Sequence, residues 1–417
     1  GLIEARPKSG YFVRARLGQK LPEPAMTHPA GGATELQVSD FIFQILDSVR
    51  DPGIVPLGSS FPAAALFPFD KLGRFLAGAA RRLDPQSTLS DLPPGNEELR
   101  RQIALRYLAQ GASVSPQEIV VTAGAMEGLN LCLQAVTRPG DLIAVESPTF
   151  YAGLQASERL GLRVIEIPSH PREGVSLAAL EAALRQHPVK ACLFMLNFAN
   201  PTGSRLSDPR KQELLQLLRR HQVPLIEDDV YGELYFDRQA PLCSKAADSD
   251  GLVMHVSSFS KCLAPGYRLG WVAAGRYAEA IRRQKLATSL ATSVPVQIAI
   301  ADYLRQGGFD KHLRQLRRRL AEQAATLVAA VERHFPEGTR LTRPQGGYFL
   351  WLELPPQVDA LRLHREALAR GISVAPGPIF SAKREFAHHL RLNFGHPAGD
   401  AQLAAVATLG RLVAAAL

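Results

Sequence analysis

From residue 96 onward the chain alternates between stretches with helical spacing of apolar residues and short, unbroken apolar runs. "EELRRQIALRYLAQ" reads as a helix and "EIVVT" as a strand, then "MEGLNLCLQAV" as a helix and "DLIAVE" as a strand. "YAGLQASERLG" leads to "RVIEIP", and "RKQELLQLLRRH" leads to "VPLIED", with "VKACLFML" and "LVMHVSS" as further strands. Strands without polar alternation are buried on both faces, which requires helices packed on both sides of a parallel sheet. The pattern therefore predicts an α/β fold whose large domain has a mostly parallel, helix-covered sheet. From about Pro295, long helical patterns and short strands such as "YFLWLEL" predict a smaller α+β domain.

With 417 residues, 46% hydrophobic and 21% charged, the chain is too long for one simple core. No apolar run approaches the roughly 20 residues that span a bilayer, and the N-terminus has neither region of a signal peptide, so a cytoplasmic location without membrane contact is expected. Cys132, Cys192, Cys243 and Cys262 lack C-x-x-C spacing, and neither a metal site nor a disulfide framework is expected. A net charge of +9 favours polyanions only weakly. Its densest run, "HLRQLRRRLAEQ" from His312, has helical spacing and reads as a solvated helix face, and no aromatic residues interleave it as a single-strand binding surface would require.

The N-terminal end is different in kind. Leu2, Ile3 and Ala5 read as a short strand, Pro7 to Gly10 as a turn, and Tyr11 to Val13 as the returning strand. A Pro/Gly/Ala-rich stretch without apolar periodicity follows and reads as a linker. An amphipathic helix over "VSDFIFQILDSVR" is then expected, with Ser39 as its cap.

Sites in open α/β sheets lie beyond the carboxyl ends of the strands. After "EIVVT" comes "AGAMEG", a glycine turn opening a helix, whose free N–H groups and dipole suit a phosphate, although a tight turn alone also demands glycine. After "VKACLFML" comes "NFANPTG", where Asn200 either caps a loop or points an amide into a site. After "VPLIE" comes "DDVYGELY", two adjacent carboxylates of which one needs a cationic partner. "LVMHVSS" delivers Ser258, Ser260 and Lys261, with Arg268 seven residues beyond Lys261. Hydroxyls and a guanidinium make a phosphate clamp, and a lysine beside them can condense with a carbonyl. A phosphate and an aldehyde together describe pyridoxal 5′-phosphate.

"SSFSKCLAPGYRLGW", "NPTG", "DDVY", "GGYFLW" and "RLNFG" resemble the motif set of fold-type I, pyridoxal-phosphate-dependent aminotransferases over roughly residues 50–417. The resemblance implies that Lys261 bonds to the cofactor aldehyde and shuttles a proton. It implies that Asp228 pairs with the pyridinium nitrogen, which lets the ring accept electrons. Tyr231 and Asn200 would meet the ring 3′-oxygen. Gly124, Ala125 and Met126, with Ser258, Ser260 and Arg268, would form the phosphate cup, and Phe150 would stack on the ring. Arg391 would grip a substrate α-carboxylate. Where the family commonly carries a phosphate-contacting tyrosine, this chain has Ser90, Asp91 and Leu92. A homodimer is implied.

"GLIEARPKSGYFV" is similar to the wing hairpin that ends the winged-helix DNA-binding domain of GntR-type regulators. Wing, linker and aminotransferase-like domain together resemble the MocR subfamily, which implies DNA as a partner through an upstream winged helix and an amino acid or 2-oxo acid as ligand. The expected segments are a wing remnant over 1–13, a linker over 14–38, an N-terminal arm and part of the small domain over 39–85, the large cofactor-binding domain over 86–294 and the small domain over 295–417. Three readings remain: the effector domain of a transcription regulator, which the wing and linker favour, a two-step aminotransferase, and a cofactor-binding fold kept only as a dimerisation scaffold. Lys261, Asp228 and Arg391 imply competence for at least a half-reaction under either.

Overall fold

The computed structural model describes residues 3–6, 10–13, 20–47, 53–84 and 92–417. Strands β1 (Ile3–Arg6) and β2 (Gly10–Val13) form the expected antiparallel hairpin, Ile3 opposite Val13 and Arg6 opposite Gly10. Leu2 and most of the turn lie outside the described residues, and Gly10 belongs to the returning strand rather than to the turn.

Nine strands build the main sheet among the described residues. They are β3 (Thr34–Glu35), β4 (Ile119–Thr122), β5 (Leu142–Ser147), β6 (Arg163–His170), β7 (Gly174–Val175), β8 (Val189–Phe194), β9 (Leu225–Asp228), β10 (Val253–Ser258) and β11 (Gly270–Ala273). The order is β3-β6-β5-β8-β9-β10-β11-β4, with β7 beside β6. β6, β5, β8, β9 and β10 are mutually parallel. β11 runs against both β10 and β4, so β4 points the same way as the parallel set. Every residue of β4, β5, β9 and β10 is buried, which is why these runs carry no polar alternation. The carboxyl ends of β4, β5, β8, β9 and β10 therefore open onto one edge of the sheet.

The second sheet is antiparallel: β12 (Arg340–Leu341), β13 (Phe349–Glu353), β14 (Ala375–Pro376) and β15 (His389–Asn393), in the order β12-β13-β15-β14. The 27-residue helix Gly308–His334 precedes it and buries Leu313, Leu316, Leu320 and Leu327, leaving Arg314, Arg318 and Arg319 on the exposed face that the charge run predicted. Val55 and Leu57 tie the segment before residue 60 to this half, through Val55 N to Gly371 O at 2.8 Å and Asn393 N to Leu57 O at 2.7 Å.

Two sequence readings change in the fold. Ser39 is the first residue of helix Ser39–Asp47 and does not cap it with its own side chain; its hydroxyl donates to Glu158, whose Oε2 also accepts the N–H groups of Val38 and Ser39 at 2.9 and 2.8 Å. A remote carboxylate thus satisfies the helix start. The linker has no regular structure from residue 20 to 33, as expected, but it ends in β3 and is fastened along its length. Thr27 donates its hydroxyl to Ser147 O at 2.7 Å and accepts Ser169 N–H at 2.8 Å, Glu23 pairs with Arg172 at 2.7 Å, and Arg343 and Glu385 hold Leu21 O and Ala30 N.

Candidate cofactor and amino acid site

The five strand ends gather the residues that the motifs marked. Beyond β4, Gly124 adopts φ +83 and precedes helix Ala125–Val136, whose first N–H groups, those of Ala125 and Met126, have no intrahelical acceptor. Thr122 Oγ1 donates to Gly124 O at 3.0 Å and fixes the turn. A Cβ on Gly124 would lie 2.6 Å from Arg268 Nη2, so the guanidinium rests directly on this glycine. Arg268 is itself left-handed at φ 49, and reaches Ser260 Oγ at 3.4 Å and Ala123 O at 3.5 Å. Ser258 Oγ accepts Ser260 N–H at 3.3 Å. No ion pair involves Arg268 among the described residues. Helix amides, two hydroxyls and a guanidinium thus meet at one strand end, a set of donors that suits an anion.

Asp228, the last residue of β9, is 3% exposed, and its Oδ1 has no hydrogen-bond partner. Burial, then the charge of Asp229, pushes its carboxyl up to about 7, against the field of Lys261 and His255. The two adjacent carboxylates have divided: Asp229 faces away, bonded to His255 Nε2 at 3.0 Å and Asn197 Nδ2 at 3.0 Å. Tyr231 is buried with its ring edge-on to Tyr348 and Phe349, at 5.3 and 5.6 Å, and burial holds its hydroxyl well above the usual phenol range.

Lys261 stands beyond β10 with Nζ donating to Ser60 O at 2.7 Å and lying 4.0 Å over the Phe61 ring. Burial, then the cation of Arg391, lowers its amine to about 7, so a large neutral fraction exists at neutral pH. Arg391, on β15, is 1% exposed and meets no carboxylate among the described residues. Its Nη1 donates to Asn200 Oδ1 at 2.9 Å and its Nη2 to Gly58 O at 2.6 Å, while Nε has no partner and the guanidinium lies 4.3 Å over Phe349. Phe150 closes the β5 side, 4.8 Å from the Tyr151 ring.

The sequence reading missed the segment 58–61. "GSSF" follows no periodicity and carries no charged residue, yet Gly58, Ser59 and Ser60 place carbonyls on Arg391 and Lys261. Tyr151 was also unmarked; its hydroxyl shares a 2.9 Å hydrogen bond with Ser60 Oγ. Ser90 and Asp91, where the phosphate-contacting tyrosine is missing, lie outside the described residues.

A profile of the family described as aminotransferase class I and II matches residues 74–407. The chain belongs to that family. It is 47% identical over 413 residues to the "Uncharacterized HTH-type transcriptional regulator YdcR" of Escherichia coli (strain K12), covering 99% of this chain and 88% of that protein. The multiple substrate aminotransferase of Thermococcus profundus superposes with a TM-score of 0.84 at 26% identity, covering 91% of this chain and 96% of that one. LysN, the alpha-aminoadipate aminotransferase of Thermus thermophilus, complexed with N-(5'-phosphopyridoxyl)-L-leucine, superposes with a TM-score of 0.81 at 28% identity, covering 91% and 99%. Both expected resemblances hold: to fold-type I aminotransferases and to regulators of the MocR type.

Pyridoxal 5′-phosphate is the cofactor that this family membership supports, and the residues present fit it. Asp228 Oδ1 is a buried acceptor with no hydrogen-bond partner among the described residues, which fits the protonated nitrogen of the ring. Gly124 admits no side chain because Arg268 lies against it, so a guanidinium stands beside the free helix amides, a donor set that suits a phosphate.

Proposed function

We propose that this chain is the pyridoxal-phosphate-binding effector domain of a MocR-type transcription regulator, and that it recognises an amino acid through Arg391 and Lys261. The observation that carries the ligand class is the buried Arg391 guanidinium, which has no carboxylate partner among the described residues, beside an amine lowered to about 7. An uncompensated buried cation is costly unless a ligand supplies its partner. The regulator reading rests on the match to YdcR across 99% of the chain.

When bound, the cofactor supplies an aldehyde that takes up an amino group and a ring that accepts electrons. The chain's residues do the rest. Gly124, Ala125 and Met126 would offer N–H groups to the phosphate, Ser258 and Ser260 hydroxyls, and Arg268 a positive charge. Asp228 would hold a proton for the ring nitrogen, Tyr231 and Asn200 would offer an O–H and an N–H to the ring oxygen, and Phe150 would pack on the ring. Arg391 fixes the α-carboxylate and so orients the α-carbon toward Lys261, whose neutral amine can take the α-proton and return it. The carbonyls of residues 58–60 must yield Arg391 and Lys261 when ligand enters, so amino acid binding displaces this segment.

The second reading, a complete aminotransferase, is favoured by the same residues and by the TM-score of 0.84 to a working enzyme. The visible absorbance of the chain with pyridoxal phosphate, recorded as amino acids are added singly, decides between them, with Lys261→Ala as control. A spectral change that stops without 2-oxo acid release supports the effector domain. Sustained 2-oxo acid release supports the enzyme. A band unaffected by Lys261→Ala overturns both.

A further inference from the structure

Next to Asp228 lies a buried polar chain to which the sequence motifs assign no role. Trp271 Nε1 donates to Tyr107 Oη at 2.9 Å, Tyr107 Oη meets His255 Nδ1 at 2.6 Å, and His255 Nε2 meets Asp229 Oδ2 at 3.0 Å. From the other side Lys211 Nζ donates to Asn197 Oδ1 at 2.7 Å, and Asn197 Nδ2 donates to Asp229 Oδ1 at 3.0 Å. Trp271 has only a donor, so when His255 is neutral Tyr107 can pass its own proton to Nδ1, and when His255 is cationic Nδ1–H donates to Tyr107 Oη; in either state Nε2–H donates to Asp229, where both chains end. Each carboxylate oxygen of Asp229 receives one donor, in a site where Tyr107, His255 and Asn197 are all buried.

The carboxylate is also locked in place. Asp229 N–H donates to Val256 O at 2.8 Å and Ser257 Oγ donates to Asp229 O at 3.0 Å, so β10 grips both sides of the residue. A Cβ on Gly232 would lie 2.5 Å from Asp229 Oδ2, which explains the glycine that ends "DDVYG". A fixed anion, solvated by protein groups, thus sits one residue from the group that faces the cofactor ring. A chain this complete exceeds what a turn requires, since a neutral side chain would hold the same backbone at lower desolvation cost.

We propose that Asp229 is a positioning residue for the cofactor, whose fixed negative charge keeps the proton shared by Asp228 and the ring nitrogen bound through neutral pH, with His255 as the counter-ion that limits this effect. The proposal rests on the reading that the ring nitrogen meets Asp228. Its electrostatics agree in sign with the neighbours' fields: Asp229 raises the proton affinity of Asp228 and His255 lowers it. His255 is in turn held above its ordinary range by its bond to Asp229 and the charge of Glu227, against burial and Lys245. The lysines near it are engaged, Lys245 with Asp248 at 2.9 Å and Lys211 with Asp208 at 3.3 Å, while Glu227 accepts Ser244 N–H at 2.9 Å and Glu146, which feels the charge of Asp228, accepts Met195 N–H at 3.0 Å.

The test is the ring 15N chemical shift of 15N-labelled pyridoxal phosphate bound to the protein, followed against pH, which reads the ring proton directly and needs no turnover. With Asp229→Asn the ring nitrogen should lose its proton about one pH unit or more lower than in the parent, as expected for removing one charge at short range. With His255→Gln, which keeps a donor for Asp229 but cannot become cationic, the loss should move to higher pH. Opposite signs are the decisive result, because a packing defect alone has no reason to move the two variants apart. Shifts of the same sign, or a His255→Gln titration that matches the parent where Asp229→Asn fails to fold, overturn the proposal. Asp228→Asn is the control: if it leaves the ring nitrogen signal unchanged, the placement of the cofactor itself fails; if it abolishes the protonated signal while Asp229→Asn does not move it, only the role of Asp229 fails.

Discussion

Removing the charge of Asp228 should make the cofactor-free protein more stable than the parent from about pH 6 upward, and not at pH 4. Unfolded, this carboxyl ionises near 3.8; folded, it ionises at about 7. Between those values the folded chain keeps a proton that the unfolded chain has released, so stability falls as pH rises through the window, and the loss is complete above pH 7. At about 1.4 kcal/mol per pH unit the loss reaches about 4 kcal/mol. Asp228→Asn cannot ionise, and it can still accept the Val230 N–H that the carboxylate receives. Its amide N–H groups would face the orphaned position of Oδ1, at a cost of about 1–3 kcal/mol that does not change with pH. The stability of the variant relative to the parent should therefore swing by about 4 kcal/mol in its favour between pH 4 and pH 8. Urea unfolding followed by circular dichroism on cofactor-stripped protein, at pH 4, 5, 6, 7 and 8, measures this swing. A difference constant to within about 1 kcal/mol across that range would refute a strained carboxylate, and with it the idea that the site stores charge for the ring nitrogen.

Arg391→Met should lower amino acid affinity about 100-fold or more, the worth of two charge-assisted hydrogen bonds, as read by absorbance titration of the cofactor-loaded protein. In the same variant the Lys261 amine should rise from about 7, since a neighbouring cation has gone, and the pH at which cofactor attachment accelerates should move upward with it. Gly124→Ala places a methyl 2.6 Å from Arg268 Nη2 at a positive φ and should weaken pyridoxal phosphate binding at least about tenfold by fluorescence titration. Thr27→Val removes the hydroxyl shared by Ser147 O and Ser169 N, and should speed amide exchange in residues 20–33 by about one to two orders of magnitude while the main sheet stays protected.

The hairpin, the two sheets and the order of the motifs were legible in the sequence because each follows from a local rule: apolar runs bounded by turns, and chemistry at the carboxyl ends of parallel strands. Lys261, Asp228, Asn200 and Gly124 stand where those rules put them. Ser39 misled, because a cap can be supplied by a carboxylate 119 residues away as well as by the nearest hydroxyl. The linker was read as unstructured from its composition, and composition is silent on whether each backbone group finds a partner on a neighbouring surface.

By itself the sequence determined which strands exist, that their ends carry a lysine, two carboxylates and a glycine turn, and that these belong to one chemistry. Only the tertiary structure decided that Asp228 faces the site while Asp229 faces a buried chain from Trp271 and Lys211. Adjacent residues in a strand point to opposite faces, and which face holds the ligand depends on what packs there. Nor could the sequence show that carbonyls of residues 58–60 cover Arg391 and Lys261. That segment acts through backbone oxygens, which every residue carries, and their meaning comes only from the charges the fold brings against them.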